Sequence, residues 1–153
     1  MAKQNNWHKG EFAPKNPEKY IGTYPIIFRS SWERVMMSKC DTHPSISQWA
    51  SESIKIPYYN PFYKRATIYI PDFLIHYVDR SGKSVVEIIE IKPNNQSSDE
   101  KAKGMNNKFA LALNKVKWAA ATTWAKKQGM RFRVMNESDM FMQKVPTGKR
   151  KKK

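Results

Sequence analysis

Two acids and a lysine, spread over two apolar segments, are the residues best placed to do chemistry together. In Val85-Val-Glu-Ile-Ile-Glu-Ile-Lys92, strand side chains alternate between faces. Val86, Ile88, Glu90 and Lys92 therefore share one side, and Glu87, Ile89 and Ile91 the other. Glu90 and Lys92 emerge together at the end of an apolar face, where unpaired charge is costly. Upstream, Asp72 follows Pro71 inside Ile68-Tyr-Ile-Pro-Asp-Phe-Leu-Ile75. Hairpin pairing of the two segments would set Asp72 opposite the Glu90 region. Two carboxylates on rigid elements, aimed at one point, suit a hard divalent cation such as Mg²⁺, which takes oxygen ligands.

The spacing alone discriminates poorly. An acid two residues before a lysine is expected about twice by chance in this composition. It occurs twice, as Glu90-Ile-Lys92 and Asp99-Glu-Lys101. Only the first lies on an apolar strand, preceded by a Pro-Asp segment; the second falls in a polar loop and is set aside. A third acid comes from a predicted helix, on which Glu33, Met36, Met37 and Cys40 share one side at i, i+3, i+4 and i+7. A core-facing glutamate calls for a partner, either this same site or a cation such as Arg29 or Arg34.

The elements that must carry these residues follow from periodicity and punctuation. Ser30 or Ser31 caps a helix to about Asp41, and Thr42-His-Pro-Ser breaks it. Ser47 to Pro57 has strand character, and Asn60-Pro61 marks a turn. Thr67 to Val78 suits one long strand. Arg80-Ser-Gly-Lys83 makes a tight turn into the strand Ser84 to Lys92, which Pro93 closes. A polar loop from Asn94 to Lys103 leads to a helix over about Asn106 to Gln128, with Phe109, Leu113, Ala120 and Trp124 near one face and Gly129 as its stop. Met130 to Met135 is a short strand, and Ser138 opens a last short helix. Helix, three strands, helix, strand is an α/β order that predicts a mixed sheet with a helix on each side. Residues 1–24 form a Lys-, Asn- and Pro-rich arm whose Trp7, Phe12 and Tyr20 would pin it to something. Residues 25–145 make the domain, and 146–153 a cationic tail.

Composition narrows the partner. Twenty-eight Lys and Arg against 13 Asp and Glu give a net charge of +15 in 153 residues. Such an excess favours a polyanion such as nucleic acid, bound through counterion release. The single Cys40 excludes an internal disulfide and a cysteine-based zinc site. Met1 to Pro17 lacks the apolar stretch of a secretory leader. No run approaches the roughly 20 apolar residues of a membrane span, so a cytoplasmic protein is expected. His76 on the Asp72 strand is expected to be a satisfied strand residue rather than a ligand, and His8 and His43 lie in the arm and a turn. Trp7, Trp49, Trp118 and Trp124 are expected to pack rather than stack on bases.

Several of these segments fall together in a known order. Arg29-Ser-Ser-Trp-Glu33, Ile56-Pro-Tyr58, Pro71-Asp72-Phe73, Glu90-Ile-Lys92-Pro93 and Lys117-Trp118 through Gly129 and Phe132 resemble the PD-(D/E)XK endonucleases. Within that group the pattern is most similar to the head-completion nucleases of T-even-like tailed phages, and TnsA-like transposon endonucleases share much of it. The likeness covers about Phe28 to Glu137. It implies a restriction-endonuclease-like αβββαβ core and phosphodiester hydrolysis of DNA with Mg²⁺, for which Mn²⁺ would substitute. Carried over by position, the catalytic set is Glu33, Asp72, Glu90 and Lys92. Asp72 and Glu90 would hold the metal with the Ile91 carbonyl, and Glu33 resembles the helix-borne glutamate that assists in the resolvase-like and TnsA-like branches. Lys92 would orient or activate the attacking water. The likeness also implies a virion protein of the head–neck region, made in the host cytoplasm, with portal and neck proteins as partners and DNA as substrate.

Arg29, Lys64, Arg65 and Lys117 flank the expected cleft as candidate phosphate grips. Lys117 lies on the apolar stripe of the long helix, placed either to reach the site or to snorkel at the helix edge. Two other functions fit the same sequence. One is a structural virion protein that keeps the nuclease fold and seals or joins the head. The other is a DNA- or RNA-binding module without chemistry, marked by salt-sensitive binding and no cleavage.

Overall fold

The computed structural model describes residues 9–92 and 104–136. Trp7, His8, the polar loop with Asp99-Glu-Lys101, the helix expected from Ser138 and the basic tail lie outside the described residues.

The centre is a four-stranded sheet in the order β3–β6–β7–β8. β3 (Ile46–Ser51) and β7 (Ser84–Ile91) both pair antiparallel with β6 (Phe73–Val78), and β7 pairs parallel with β8 (Arg131–Met135). A parallel pair needs a crossover, and α2 (Gly104–Lys127) supplies it. With α1 (Ser31–Thr42) before β3, the helix, three-strand, helix, strand order holds. Alternate residues of β8 show that the helices cover opposite faces. Arg131, Arg133 and Met135 line a groove with Met36 and Lys39 of α1, whereas Phe132 turns the other way onto Tyr69. Trp49, Phe73, Ile88 and Ile89 fill the interior, with Met36, Met37 and Cys40 from α1 and Ala121 and Ala125 from α2.

Two expected strands are each divided. Ser47 to Pro57 ends at Ser51, because Glu52 adopts a left-handed backbone (φ 51°) that no strand accommodates. The chain then makes a separate two-stranded hairpin, β4 (Ile56–Asn60) and β5 (Arg65–Tyr69), inserted between the first and second strands of the core. Both strands of that hairpin are edges, which is why Pro57 is tolerated within it. Thr67 to Val78 is likewise two strands, since Pro71 has no N–H for a ladder and the chain changes sheets there. Asn60 Oδ1 accepts the Phe62 and Tyr63 N–H groups and closes the hairpin turn. The buried stripe of α2 also differs from expectation. Leu111, Ala121 and Ala125 are its deepest residues, with Trp118 and Trp124 half-buried, while Phe109 meets Phe62 and Tyr63 of the hairpin.

Residues 9–24 dock on the domain. β1 (Gly10–Glu11) pairs with β2 (Ile27–Phe28), and Phe12 and Tyr20 stack edge-on against Trp49 at 5.8 and 4.7 Å. The N–H groups of Lys15 and Asn16 donate to the carboxylate of Asp41, which is 1 % exposed. Among the described residues no helix is long and apolar enough to cross a membrane.

Candidate active site

The break at Pro71 and the run of β7 decide where the acids stand. Register pairs Phe73 with Ile89, so Asp72, one residue earlier, falls opposite Glu90. The Ile91 N–H donates to Asp72 Oδ2 at 2.8 Å, which locks the Asp72 carboxylate to the end of β7. Lys92 Nζ lies 3.7 Å from Glu90 Oε2. The Lys92 backbone N–H donates to the Met135 carbonyl at 2.8 Å, so β8 fixes the lysine's place. Asp72, Glu90, Ile91 and Lys92 are thus brought together at one end of the sheet.

Burial dominates the electrostatics. Loss of solvent, then the charge of Glu90, raises the Asp72 carboxyl well above the ordinary carboxylate range, against the Ile91 hydrogen bond. Glu90 is also raised by burial, with Lys92 the largest opposing influence. Two desolvated acids that repel each other are a poor resting arrangement and a good cation site. Among the described residues no three His, Cys, Asp or Glu side chains gather into a full ligand set. What the chain offers is two carboxylates beside the Ile91 carbonyl, and Glu90 Oε1 is buried without a hydrogen-bond partner. That donor set fits Mg²⁺, which keeps several of its waters.

Glu33 closes the first turn of its own helix. Ser30 is the N-cap of α1, its hydroxyl accepting the Glu33 N–H, while Glu33 Oε1 accepts the Arg29 N–H at 2.9 Å. This is a close variant of the capping box, for which Ser30-x-x-Glu33 is the signature. Of the two partners open to Glu33 in the sequence, the side-chain ion pair to Arg29 or Arg34 is not formed among the described residues, and this backbone contact stands in its place. Burial raises the Glu33 carboxyl, with Glu52 adding and Arg29 and Lys92 opposing, so the first turn of α1 shares the electrostatic field of the acid pair.

The cations divide. The Arg29 guanidinium is paired with Glu52 and also feels Glu33 and Asp72. Lys117 stands 5.6 Å above the Tyr69 ring, and its charge opposes the upward shift of Glu90. Lys64 and Arg65 are not at the acids. They sit at the hairpin tip, about four residues and roughly 15 Å of strand from Tyr69. His76, paired with Gln48 and Val86 inside the sheet, is a strand residue as expected. Glu52, Tyr69 and Trp118 join the neighbourhood unannounced. Glu52 had been absorbed into an expected strand, and the other two had been read as strand and packing residues.

A groove of about 650 Å³ lies away from this cluster, against the α1 face between Lys39, Tyr77, Glu87 and Arg131. Its buried acid, Glu87, is held by Arg133 at 3.1 Å, and it contains none of the four convergent residues. Depth alone does not locate the chemistry.

A mixed sheet that carries an acid pair and a lysine at the end of its central hairpin, with a helix on each face, is the restriction-endonuclease-like architecture. Residues 43–137 match the family model described as the TnsA-like endonuclease N-terminal domain. The head completion nuclease of Enterobacteria phage T4 is 32% identical over 144 residues, 87% of this chain and 93% of that protein. No solved structure gives a significant match. The chain belongs to the TnsA-like endonuclease family.

Proposed function

We propose that this protein is a Mg²⁺-dependent DNA endonuclease that cuts or trims DNA during completion of a phage head. The observation that carries the catalytic reading is the meeting of Asp72, Glu90 and Lys92 where β6 and β7 leave the sheet. Likeness to a head completion nuclease supports the biological setting, with DNA ends and neck proteins as its surroundings.

Asp72 and Glu90 would hold the metal with the Ile91 carbonyl, and Glu33 would add charge from the helix. A cation held there would supply Lewis acidity toward a phosphate oxygen and a more acidic water, and Mn²⁺ would replace Mg²⁺. Lys92, half-buried and beside Glu90, holds the attacking water in line. Lys117 and Arg29 lie close enough to the acids to steady a phosphate as negative charge builds.

Linear and circular duplex DNA, incubated with Mg²⁺ or Mn²⁺, should be cleaved by the unsubstituted protein. Asp72→Asn should lose activity on the order of 10²-fold or more, since several kcal/mol of charge stabilisation disappear and about 1.4 kcal/mol is tenfold. Full cleavage by a folded Asp72→Asn protein would refute the site.

A further inference from the structure

Three buried polar atoms of the described residues lack a hydrogen bond of normal geometry on the α2 side of the acid pair: Glu90 Oε1, Tyr69 Oη and Trp118 Nε1. They belong to one neighbourhood, because Lys117, next to Trp118 in α2, stands 5.6 Å above the Tyr69 ring, and Glu90 and Trp118 both bear on the Tyr69 hydroxyl electrostatically. Buried polar groups left unmade are expensive, so their chemistry should be complementary. It is. An indole N–H only donates, a phenol both donates and accepts, and a carboxylate only accepts. One order satisfies all three, with the Trp118 N–H donating to Tyr69 Oη and the Tyr69 O–H donating to Glu90 Oε1.

The ring that carries the hydroxyl is held from several sides. Tyr69 is the last residue of β5, paired with Ile56 across the inserted hairpin. Its ring meets Phe132 of β8 at 6.4 Å and carries Lys117 over one face. Hairpin, last strand and long helix therefore all fix where one hydroxyl stands. A purely apolar contact would not need the oxygen, and the residue is 5 % exposed.

We propose that Tyr69, itself held by Trp118, is a positioning residue that donates to Glu90 Oε1 and so orients this carboxylate toward the metal. The inserted hairpin then has a definite task, the delivery of that hydroxyl to the end of β7. Partners that orient a metal ligand commonly change metal affinity or activity by 10- to 100-fold when removed. The inference rests on the metal-site reading above and extends it by two residues, Tyr69 and Trp118.

The full chain, free of metal and labelled with ¹⁵N, gives a test that does not depend on activity. In Tyr69→Phe the Trp118 indole N–H should shift and exchange with solvent faster, by about tenfold or more, as it loses its acceptor. Trp49 Nε1, also buried and without a partner, should not move and serves as the internal control. Calorimetric titration with Mn²⁺ alone should then show binding about 10- to 100-fold weaker in Tyr69→Phe. Trp118→Phe should weaken it less, and the double variant no more than Tyr69→Phe. If Tyr69→Phe does not fold, Trp118→Phe carries the measurement. An unmoved Trp118 signal, or unchanged Mn²⁺ affinity in Tyr69→Phe, overturns the proposal and leaves the metal site standing. Failure of the unsubstituted chain to bind Mn²⁺ removes both.

Discussion

Asp72 and Glu90 face each other in a buried setting, and that has a cost while their charges are uncompensated. Both carboxyl groups are raised above their unfolded values near 4, by burial first. A raised acid favours the folded chain while it is protonated; that contribution is present below the unfolded pKa and is lost as pH rises through the folded one. The metal-free protein is therefore penalised at neutral pH. Asp72→Asn, which keeps an oxygen for the Ile91 N–H, should melt higher than the parent near pH 8 in chelator, at about 2–4 °C per kcal/mol recovered. The gain should shrink toward pH 4, and a gain equal at both ends would exclude an electrostatic origin. Glu33 separates differently. Glu33→Gln keeps an acceptor for the Arg29 N–H and should melt within about 2 °C of the parent while cleaving poorly. Should it cleave like the parent, the glutamate is a helix cap and nothing more.

Asp41, at the last turn of α1, ties the first described residues to the domain. Its carboxylate takes two backbone N–H groups, and its carbonyl takes Asn16 Nδ2 and Lys19 Nζ. Bonds to a charged acceptor are worth roughly 1.5–3 kcal/mol each. Asp41→Ala should lower stability by about 3 kcal/mol and open residues 9–24 to proteolysis, read by melting and limited digestion. The pinning by Phe12 and Tyr20 was legible in the sequence, but the tie through Asp41 was not, because a helix-end carboxylate gives no sign of which backbone it will hold. The extents of α1, β7, α2 and β8 were legible from their apolar runs, caps and stops, although the buried side of α2 was not. The other errors fell at single backbone states. Glu52 in a left-handed conformation and Pro71 without an N–H each divided a run whose composition was uniformly strand-like. The acid pair survived the second error, since an Asp beside a strand-breaking Pro still ends opposite Glu90. Tyr69 and Trp118 were hidden for another reason: their polar atoms matter through burial, which alternation does not report.

At the scale of the whole molecule, a net charge of +15 should make DNA binding strongly salt-dependent. The Asp72→Asn protein, expected to bind without cutting, isolates this. Lys64 and Arg65 stand roughly 15 Å along the hairpin from Tyr69, a reach of about four to five base pairs at 3.4 Å each. Replacing both with alanine should flatten the slope of log affinity against log salt by about 2 and leave the rate at saturating DNA nearly intact. An unchanged slope would place the hairpin tip off the duplex. The bond from the Lys92 N–H to the Met135 carbonyl has its own consequence for synthesis. A ribosome that has made Glu33, Asp72, Glu90 and Lys92 has made every acid and base of the site, yet the strand that pins the lysine is still some forty residues from emerging. Parallel pairing across a helical crossover waits for that distant segment. A chain cut short before Arg131 is thus expected to carry the acids without the strand that pins Lys92, and to leave DNA uncut in the cleavage assay.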